Sequence, residues 1–186
     1  MQSHYKRQFF KEIILSRLQP PGPFPLVLVL DHMKPTFNIG KLIRTANALG
    51  VREVHLVDIP LFNPKPCKGT LKQTRTVSVT TFQESHDRLV KEGYTLFALD
   101  ANAPQTLAHT SLPVKSAFVV GHEEYGLSFS QAEFPEVQRI RIPQFGQVQS
   151  LNASIAGAII CYEYLRQLEF RPERVAPQNH ETVILG

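Results

Sequence analysis

Apolar runs rich in β-branched residues alternate along the chain with segments whose apolar residues recur every three or four positions. The runs predict six strands, at residues 26–30, 53–58, 76–79, 94–99, 116–120 and 137–142. Helical spacing predicts a helix in "NIGKLIRTANALG", which stops at Gly50, and another in "TFQESHDRLVKEG", which stops at Gly93. This alternation predicts an α/β fold with a mostly parallel sheet flanked by helices.

The two ends of the chain differ from this alternating pattern. Residues 1–18 predict an additional amphipathic helix, which the stiff "PPGPFP" at 20–25 joins to the first strand. We therefore expect a helical extension with a Pro-rich linker at 1–25, one domain at 26–170 and a loosely ordered polar tail at 171–186. A chain of 186 residues can bury one sizeable core.

Composition narrows the class of protein. Apolar residues make up 42% of the chain and charged residues 19%, which is typical of an ordinary globular domain. No apolar run is long enough to span a membrane, and charged residues interrupt the apolar ones at the N-terminus, unlike in a signal peptide. We expect no membrane partner and a cytoplasmic location.

Cysteines and histidines indicate neither a disulfide framework nor a metal site. Cys67 and Cys161 are the only cysteines, and neither has a partner at metal-ligand spacing. Cys161 lies in an apolar run and is expected in the core, whereas Cys67 in "NPKPCKG" is expected to be a loop thiol. His32 and His55 also lack spaced ligand partners, so no metal is predicted.

The net charge of +4 is unevenly distributed. The stretch 63–75 contains Lys65, Lys68, Lys72 and Arg75 and no acidic residue. Such a run is either a solvated surface or a patch that binds a polyanion, and both interpretations stay open. If the partner is a nucleic acid, its phosphates are expected here.

Several polar loops follow the predicted strands. In parallel sheets the carboxyl ends of the strands meet at one edge, where ligands bind. Ser150 and Asn152 end one of these loops and begin the apolar run 155–160, so they could cap a helix or line a pocket. The convergence of loops favours a binding role in addition to the cap.

Three motifs carry the chemistry, whereas GxGxxG and GxxxxGK[ST] are absent. They are "NIGKLIR" with Asn38, Gly40 and Arg44, "GHEEYGL" with Gly121, Glu123 and Gly126, and "IPQFGQVQSLN" with Ser150 and Asn152. In order and spacing, over residues 26–166, these motifs resemble those of the SpoU/TrmH branch of the SPOUT RNA methyltransferases.

The resemblance implies a C-terminal deep trefoil knot, a homodimer, and methyl transfer from S-adenosylmethionine to a ribose 2′-hydroxyl of tRNA or rRNA. The cofactor contacts that it implies are Leu99, Gly121, Ile142, Ser150 and Leu151. Arg44 would be the central catalytic residue, and Asn38, Glu123 and Asn152 would order it and the pocket. Whether Arg44 takes the hydroxyl proton or holds a phosphate stays open, because an arginine is a poor base.

Two other functions remain as alternatives: a SPOUT enzyme that methylates a base, and a dimeric RNA-binding factor without turnover. Individual residues are open as well. Tyr125 could stack on a base or pack against the end of the sheet, and His122 is expected to be an incidental polar residue.

The predicted helix at 153–168 is apolar around most of its circumference, more widely than one packing face requires. A second apolar face predicts a second partner. The resemblance makes that partner the same helix of another subunit, with Ile159 or Tyr162 in the contact.

Overall fold

A computed structural model describes residues 2–169. Its helices are α1 (Gln2–Arg17), α2 (Phe37–Ala48), α3 (Phe82–Lys91) and α4 (Ala153–Glu169). Its strands are β1 (Phe24–Asp31), β2 (Val51–Val57), β3 (Thr76–Val79), β4 (Thr95–Leu99), β5 (Gln105–Thr106), β6 (Ser116–Val120) and β7 (Gln138–Arg141). All six predicted strands are confirmed. The additional strand, β5, is two residues long and polar, so no apolar run could reveal it.

The seven strands form one sheet in the order β3-β2-β1-β6-β4-β7-β5. Every pair of neighbours is parallel, which confirms the predicted α/β class. The carboxyl ends of all the strands therefore lie along one edge of the sheet.

Helices cover both faces of this sheet. In β1 the side chains of Leu26, Leu28 and Leu30 pack in a core with residues of α1, α2 and α4. Val27 and Val29 point to the opposite face and pack in a second core with residues of α3. Burial on both faces explains why β1 is a continuous apolar run rather than an alternating one.

The N-terminal extension forms the predicted helix, and this helix packs on the domain. Phe9 and Ile13 are buried in the core beneath α1. The hydroxyls of Ser16 and Thr76 are hydrogen-bonded, which ties the end of α1 to β3. The expected tail at 171–186 lies outside the described residues.

The long loop between β2 and β3 contains two short 3-10 turns, Lys65–Cys67 and Leu71–Gln73. Cys67 and Leu71 are fully buried between this loop and the helices. Cys67 therefore lies in a loop as predicted, but its thiol belongs to the core, because the turn points the side chain inward. Burial raises the pKa of the Cys67 thiol to about 12, and that of Cys161, confirmed in the core, to about 12 as well.

The trefoil knot stays a prediction. Within residues 2–169, no helix is both long enough and apolar enough to cross a membrane.

Candidate cofactor and acceptor site

A cleft of about 400 Å³ opens at the carboxyl ends of β6, β4 and β7, which are neighbours in the sheet. It is closed on one side by the loop 142–152 and the start of α4. All five predicted cofactor residues line it: Leu99, Gly121, Ile142, Ser150 and Leu151. The sheet therefore brings together residues from three separate parts of the chain.

The lining of this cleft suits a ligand that is partly apolar and partly polar. Leu99, Ile142 and Leu151 supply aliphatic surface. Gln144, at a variable position of the third motif, also lines the cleft, and its buried Oε1 has no hydrogen-bond partner among the described residues. A buried acceptor of this kind is stabilised by an N–H or O–H group of a ligand. Such a cleft fits a nucleoside cofactor.

Gly121 is required by a close backbone approach. A Cβ atom at this position would lie 2.6 Å from the carbonyl oxygen of Gly126. That oxygen accepts a hydrogen bond of 2.7 Å from the His122 N–H, and the Gly126 N–H donates back to His122 over 2.9 Å. The glycines of the second motif thus build a tight turn, residues 122–126, at the rim of the cleft.

A chain of hydrogen bonds joins the three motifs at the mouth of the cleft. Asn152 Nδ2 donates to Asn38 Oδ1 over 3.2 Å, and Asn38 Nδ2 donates to Glu123 Oε1 over 2.9 Å. The other carboxylate oxygen of Glu123 accepts from the backbone N–H of Lys34 over 3.2 Å. The side chains of Asn38, Glu123 and Asn152 therefore hold one another in place.

Asn152 also caps α4. Its Oδ1 accepts a hydrogen bond of 2.9 Å from the N–H of Ser154, and its carbonyl accepts from Ile155 and Ala156. Ser150 is exposed and makes no hydrogen bond to α4 in the described part of the chain. The cap predicted for both residues is confirmed for Asn152 and wrong for Ser150, which lies two residues too early to reach the first turn.

Arg44 stands apart from this chain of hydrogen bonds. It is exposed on α2, does not line the cleft, and its guanidinium has no partner within residues 2–169. Six residues separate it from Asn38, a rise of about 9 Å along the helix. Within residues 2–169, Asn38, Glu123 and Asn152 contact one another and not Arg44, so their ordering of Arg44 stays a prediction.

The SpoU rRNA Methylase family matches residues 25–162, which contain the cleft, the cap and all three motifs. The chain belongs to this family. The matched range begins at the start of β1 and ends within α4, so α1 lies outside it.

Two relatives resemble this chain over most of its length. The 23S rRNA (guanosine-2'-O-)-methyltransferase RlmB of Neisseria meningitidis is 28% identical over 175 residues, which are 91% of this chain and 68% of that protein. The SpoU methyltransferase AviRb of Streptomyces viridochromogenes, solved with AdoMet, is 28% identical, with a TM-score of 0.66 over 82% of this chain and 61% of AviRb. The chain thus spans about two thirds of the length of these relatives.

A third relative is shorter, and the match covers nearly all of it. The structure described as "Structural insights into the 2-OH methylation of C/U34 on tRNA" is 27% identical, with a TM-score of 0.67, over 78% of this chain and 97% of that one.

The basic loop differs in part from its prediction. Lys65, Lys68 and Lys72 are exposed and make no ion pair in the described structure. Arg75 is half-buried instead, because its Nε donates to Glu53 Oε2 and its guanidinium to the carbonyl of Gln19, each over 3.0 Å. Arg75 therefore belongs to an internal ion network and not to the exposed patch.

The basic loop packs against Gly40, a residue of the first motif, and this contact sets its position. A Cβ on Gly40 would be 2.8 Å from Cβ of Pro66, so the loop packs directly on α2. Arg44 follows Gly40 by four residues and lies on the same side of the helix. The three exposed lysines and Arg44 thus border one region of the surface.

The sequence did not reveal the role of His122, which was expected to be incidental. Its side chain is buried, and Nδ1 accepts hydrogen bonds from the N–H groups of Glu124 and Tyr125. Tyr125 is exposed rather than packed against the sheet. Among the residues that the structure describes, no group of three or more His, Cys, Asp or Glu side chains could hold a metal ion.

Proposed function

We propose that this chain transfers a methyl group from S-adenosylmethionine to a ribose 2′-hydroxyl of RNA. The observation that carries the proposal is the chain of hydrogen bonds from Asn152 through Asn38 to Glu123, at the mouth of a cleft that fits a nucleoside. The membership of the SpoU family supports it, as do the named activity of the Neisseria relative and the AdoMet complex of AviRb.

The cleft residues would hold the cofactor. Leu99, Ile142 and Leu151 would supply the apolar surface for the adenosine, and Gln144 Oε1 would accept a hydrogen bond from the cofactor. When bound, S-adenosylmethionine supplies an electrophilic methyl group on a sulfonium. The protein then has to align the hydroxyl with that methyl group and help the hydroxyl lose its proton.

Arg44 is our candidate for the acceptor side. A free guanidinium with five N–H donors binds a phosphate in a fixed geometry and can polarise the neighbouring hydroxyl. Removal of a proton by Arg44 remains the alternative role, and the two differ in what a lysine at the same position could do.

The exposed basic residues form our candidate RNA track. Lys65, Lys68 and Lys72 lie on a loop that packs beside Gly40, on the side of α2 that carries Arg44. Lysines without acidic partners are suited to phosphate contacts. The relatives include proteins named for rRNA and for tRNA, and either RNA fits this track.

A homodimer is part of the proposal. On α4, Ile155 and Tyr162 are 53% and 65% exposed and lie two turns apart on one side of the helix, and Phe37 on α2 is exposed as well. Of the two expected contact residues, Ile159 packs on its own core, which leaves Tyr162 to face a partner. A second copy of α4 would cover these apolar groups.

The decisive experiment combines labelled S-adenosylmethionine with total RNA from a strain that lacks the protein, followed by digestion and mass analysis of the nucleosides. We expect the label in a 2′-O-methylated nucleoside. Label in a methylated base would instead favour the base-modifying alternative. Cofactor binding without any labelled RNA would favour the RNA-binding factor.

A further inference from the structure

The turn at residues 122–126 presents one aromatic ring to solvent. Tyr125 is 76% exposed, although its ring stacks on the buried ring of His122, with centroids 4.6 Å apart and planes 25° from parallel. One face of the tyrosine is therefore supported by the protein and the other is free. A supported ring with one free face is the arrangement on which nucleobases stack.

The supporting ring is held firmly. His122 Nδ1 accepts from the backbone N–H groups of Glu124 over 3.0 Å and Tyr125 over 3.1 Å. Because this nitrogen accepts, the ring proton of neutral His122 is on Nε2. The turn is anchored beyond Gly126 as well, since buried Asp31 accepts from the N–H and hydroxyl of Ser128, each over 2.7 Å. We call Tyr125 and the His122 ring beneath it the platform. The platform is thus ordered before any ligand binds.

A third ring lies beside His122, tilted by 35° from it. The ring centroid of His32 lies 5.9 Å from that of His122, and His32 Nδ1 lies 2.9 Å from Asp58 Oδ2. His32 and Asp58 both adopt left-handed backbone conformations, with φ of 54° and 49°. This conformation is uncommon for residues other than glycine and costs free energy, which the surrounding structure must offset.

Two observations place the platform beside the reacting groups. Tyr125 is two residues from Glu123, whose carboxylate accepts from Asn38. His122, which supports the tyrosine, itself lines the cofactor cleft. A base on the free face of Tyr125 would therefore belong to a nucleotide at or next to the one whose ribose reacts.

The surroundings of Tyr125 favour a base over an apolar protein surface. The exposed neighbours on the turn are Glu123, Glu124 and Gly126, so the turn itself adds no further apolar side chain beside the ring. Glu124 does not present a free negative charge to RNA, because its carboxylate pairs with Lys34 Nζ over 2.6 Å.

We propose that Tyr125, supported by His122 and His32, is the stacking site for an unpaired nucleobase of the RNA substrate, at or next to the methylated nucleotide. This inference rests on the proposed function for its substrate. It requires the target to be in a loop, bulge or single strand, because a base within a helix cannot reach the free face of the ring.

The first test compares Tyr125→Ala with Tyr125→Phe, using tRNA and rRNA from a strain that lacks the protein. Loss of the ring should weaken RNA binding about tenfold, and Tyr125→Phe should restore most of that loss because it keeps the stacking face. Cofactor affinity should stay within a few-fold in both variants. The control is Phe10→Ala, which removes an aromatic ring of comparable exposure on α1 and should not change RNA affinity.

A second test uses the absence of tryptophan from the chain. Tyr125→Trp introduces a single indole, whose fluorescence should be quenched by added RNA if a base stacks on it. Phe10→Trp provides the matched control and should not be quenched.

Several results would overturn the inference. One is an RNA affinity of Tyr125→Ala within twofold of that of the wild type. Another is equal quenching of the indoles at positions 125 and 10. The third is dissociation of a dimer by Tyr125→Ala, which would make the ring a contact between copies. If one of these results is obtained and the wild type still methylates RNA, the proposed function stands and the platform is contradicted. If the wild type binds RNA through Tyr125 but transfers no methyl group, the platform stands and the proposed function is contradicted. If the wild type binds no RNA, both are contradicted.

Discussion

Arg44 is the residue on which the proposed chemistry most depends, and it is also the least constrained. The side chains of Asn38, Glu123 and Asn152 are fixed by hydrogen bonds, whereas the Arg44 guanidinium has no partner within residues 2–169. An exposed, unpaired arginine loses side-chain entropy when a phosphate immobilises it, but it has no ion pair to give up before it binds one. Its order would then come from the RNA rather than from its own chain.

Arg44→Ala is expected to lower the single-turnover methylation rate by at least a hundredfold while cofactor affinity changes only a few-fold, because Arg44 lies outside the cofactor cleft. Arg44→Lys separates its two possible roles. If Arg44 holds a phosphate by its charge, the Arg44→Lys variant should retain part of the rate. If position 44 acts as a base, quenched-flow measurements of Arg44→Lys at several pH values should detect a new ionisation. A near-normal rate for Arg44→Ala would contradict the assignment.

At the scale of elements, the turn between β6 and the following loop joins the cofactor cleft to the acceptor site. Gly121 permits this turn because its Cα approaches the Gly126 carbonyl, a backbone atom that cannot rotate away. The same turn carries Glu123 toward Asn38 and Tyr125 toward solvent.

Gly121→Ala should therefore displace the turn, lower the free energy of unfolding by about 1–3 kcal/mol, and weaken cofactor binding in calorimetry. Gly146→Ala is the matched control, since a Cβ there would meet no atom within 4 Å. If both alanine variants melted and bound cofactor alike, the close approach would not be what requires glycine at position 121.

A second element-scale feature is the ion network at the opposite end of the sheet, which connects β2, the start of β3 and α3. Burial by itself would raise the pKa of Glu53, but the hydrogen bond from His55, the charges of His55 and Arg88 and the hydrogen bond from Arg75 lower it to about 2. Arg88 donates to both oxygens of this carboxylate, over 2.8 and 3.1 Å.

Because the folded pKa of Glu53 lies below its ordinary value of 4.5, its ionisation stabilises the fold fully above about pH 4.5. The contribution, about 3 kcal/mol, is lost as the pH falls toward 2. Denaturant unfolding of Glu53→Gln should thus show a deficit that is constant near neutral pH and shrinks in acid. Glu92→Gln, which removes a surface partner of the same Arg88, should cost less than about 1 kcal/mol. A deficit for Glu53→Gln that does not vary with pH would contradict this account.

At the scale of the whole molecule, the exposed apolar groups are unevenly distributed over the two faces of the sheet. Ile155, Tyr162 and Phe37 lie on α4 and α2, which cover the same face. The cofactor cleft ends at the first turn of α4, so a partner on this helix would be adjacent to the site.

Tyr162→Glu is expected to convert a dimer into monomers, or to prevent folding, because each copy would place an unpaired carboxylate in a dry symmetric contact. Light scattering at micromolar concentration measures the mass, and methylation assays measure the consequence. Val90→Glu serves as control, since Val90 is 46% exposed on α3, which covers the opposite face. A wild-type monomer that methylates RNA at the same concentration would contradict the proposed assembly.

The sequence by itself determined six of the seven strands, the four helices and the residues expected at the cleft. Apolar periodicity and helix-ending glycines act within a few residues, so they were sufficient to place six strands and the four helices. The five cofactor residues implied by the motif resemblance all line the cleft. The strand order was not needed to expect them at one edge, because parallel strands bring their carboxyl ends together there whatever their order.

The tertiary structure decided which side chains meet. Asn152 and Asn38 are 114 residues apart in sequence, and their hydrogen bond depends on how α2 and α4 pack on the sheet. The same packing buries Cys67, directs Arg75 into the Glu53 network and leaves Arg44 without a partner among the described residues. Local patterns define the conformation of a segment, whereas the contacts of a polar side chain depend on the segments that the sheet order places beside it, and no local pattern contains that order.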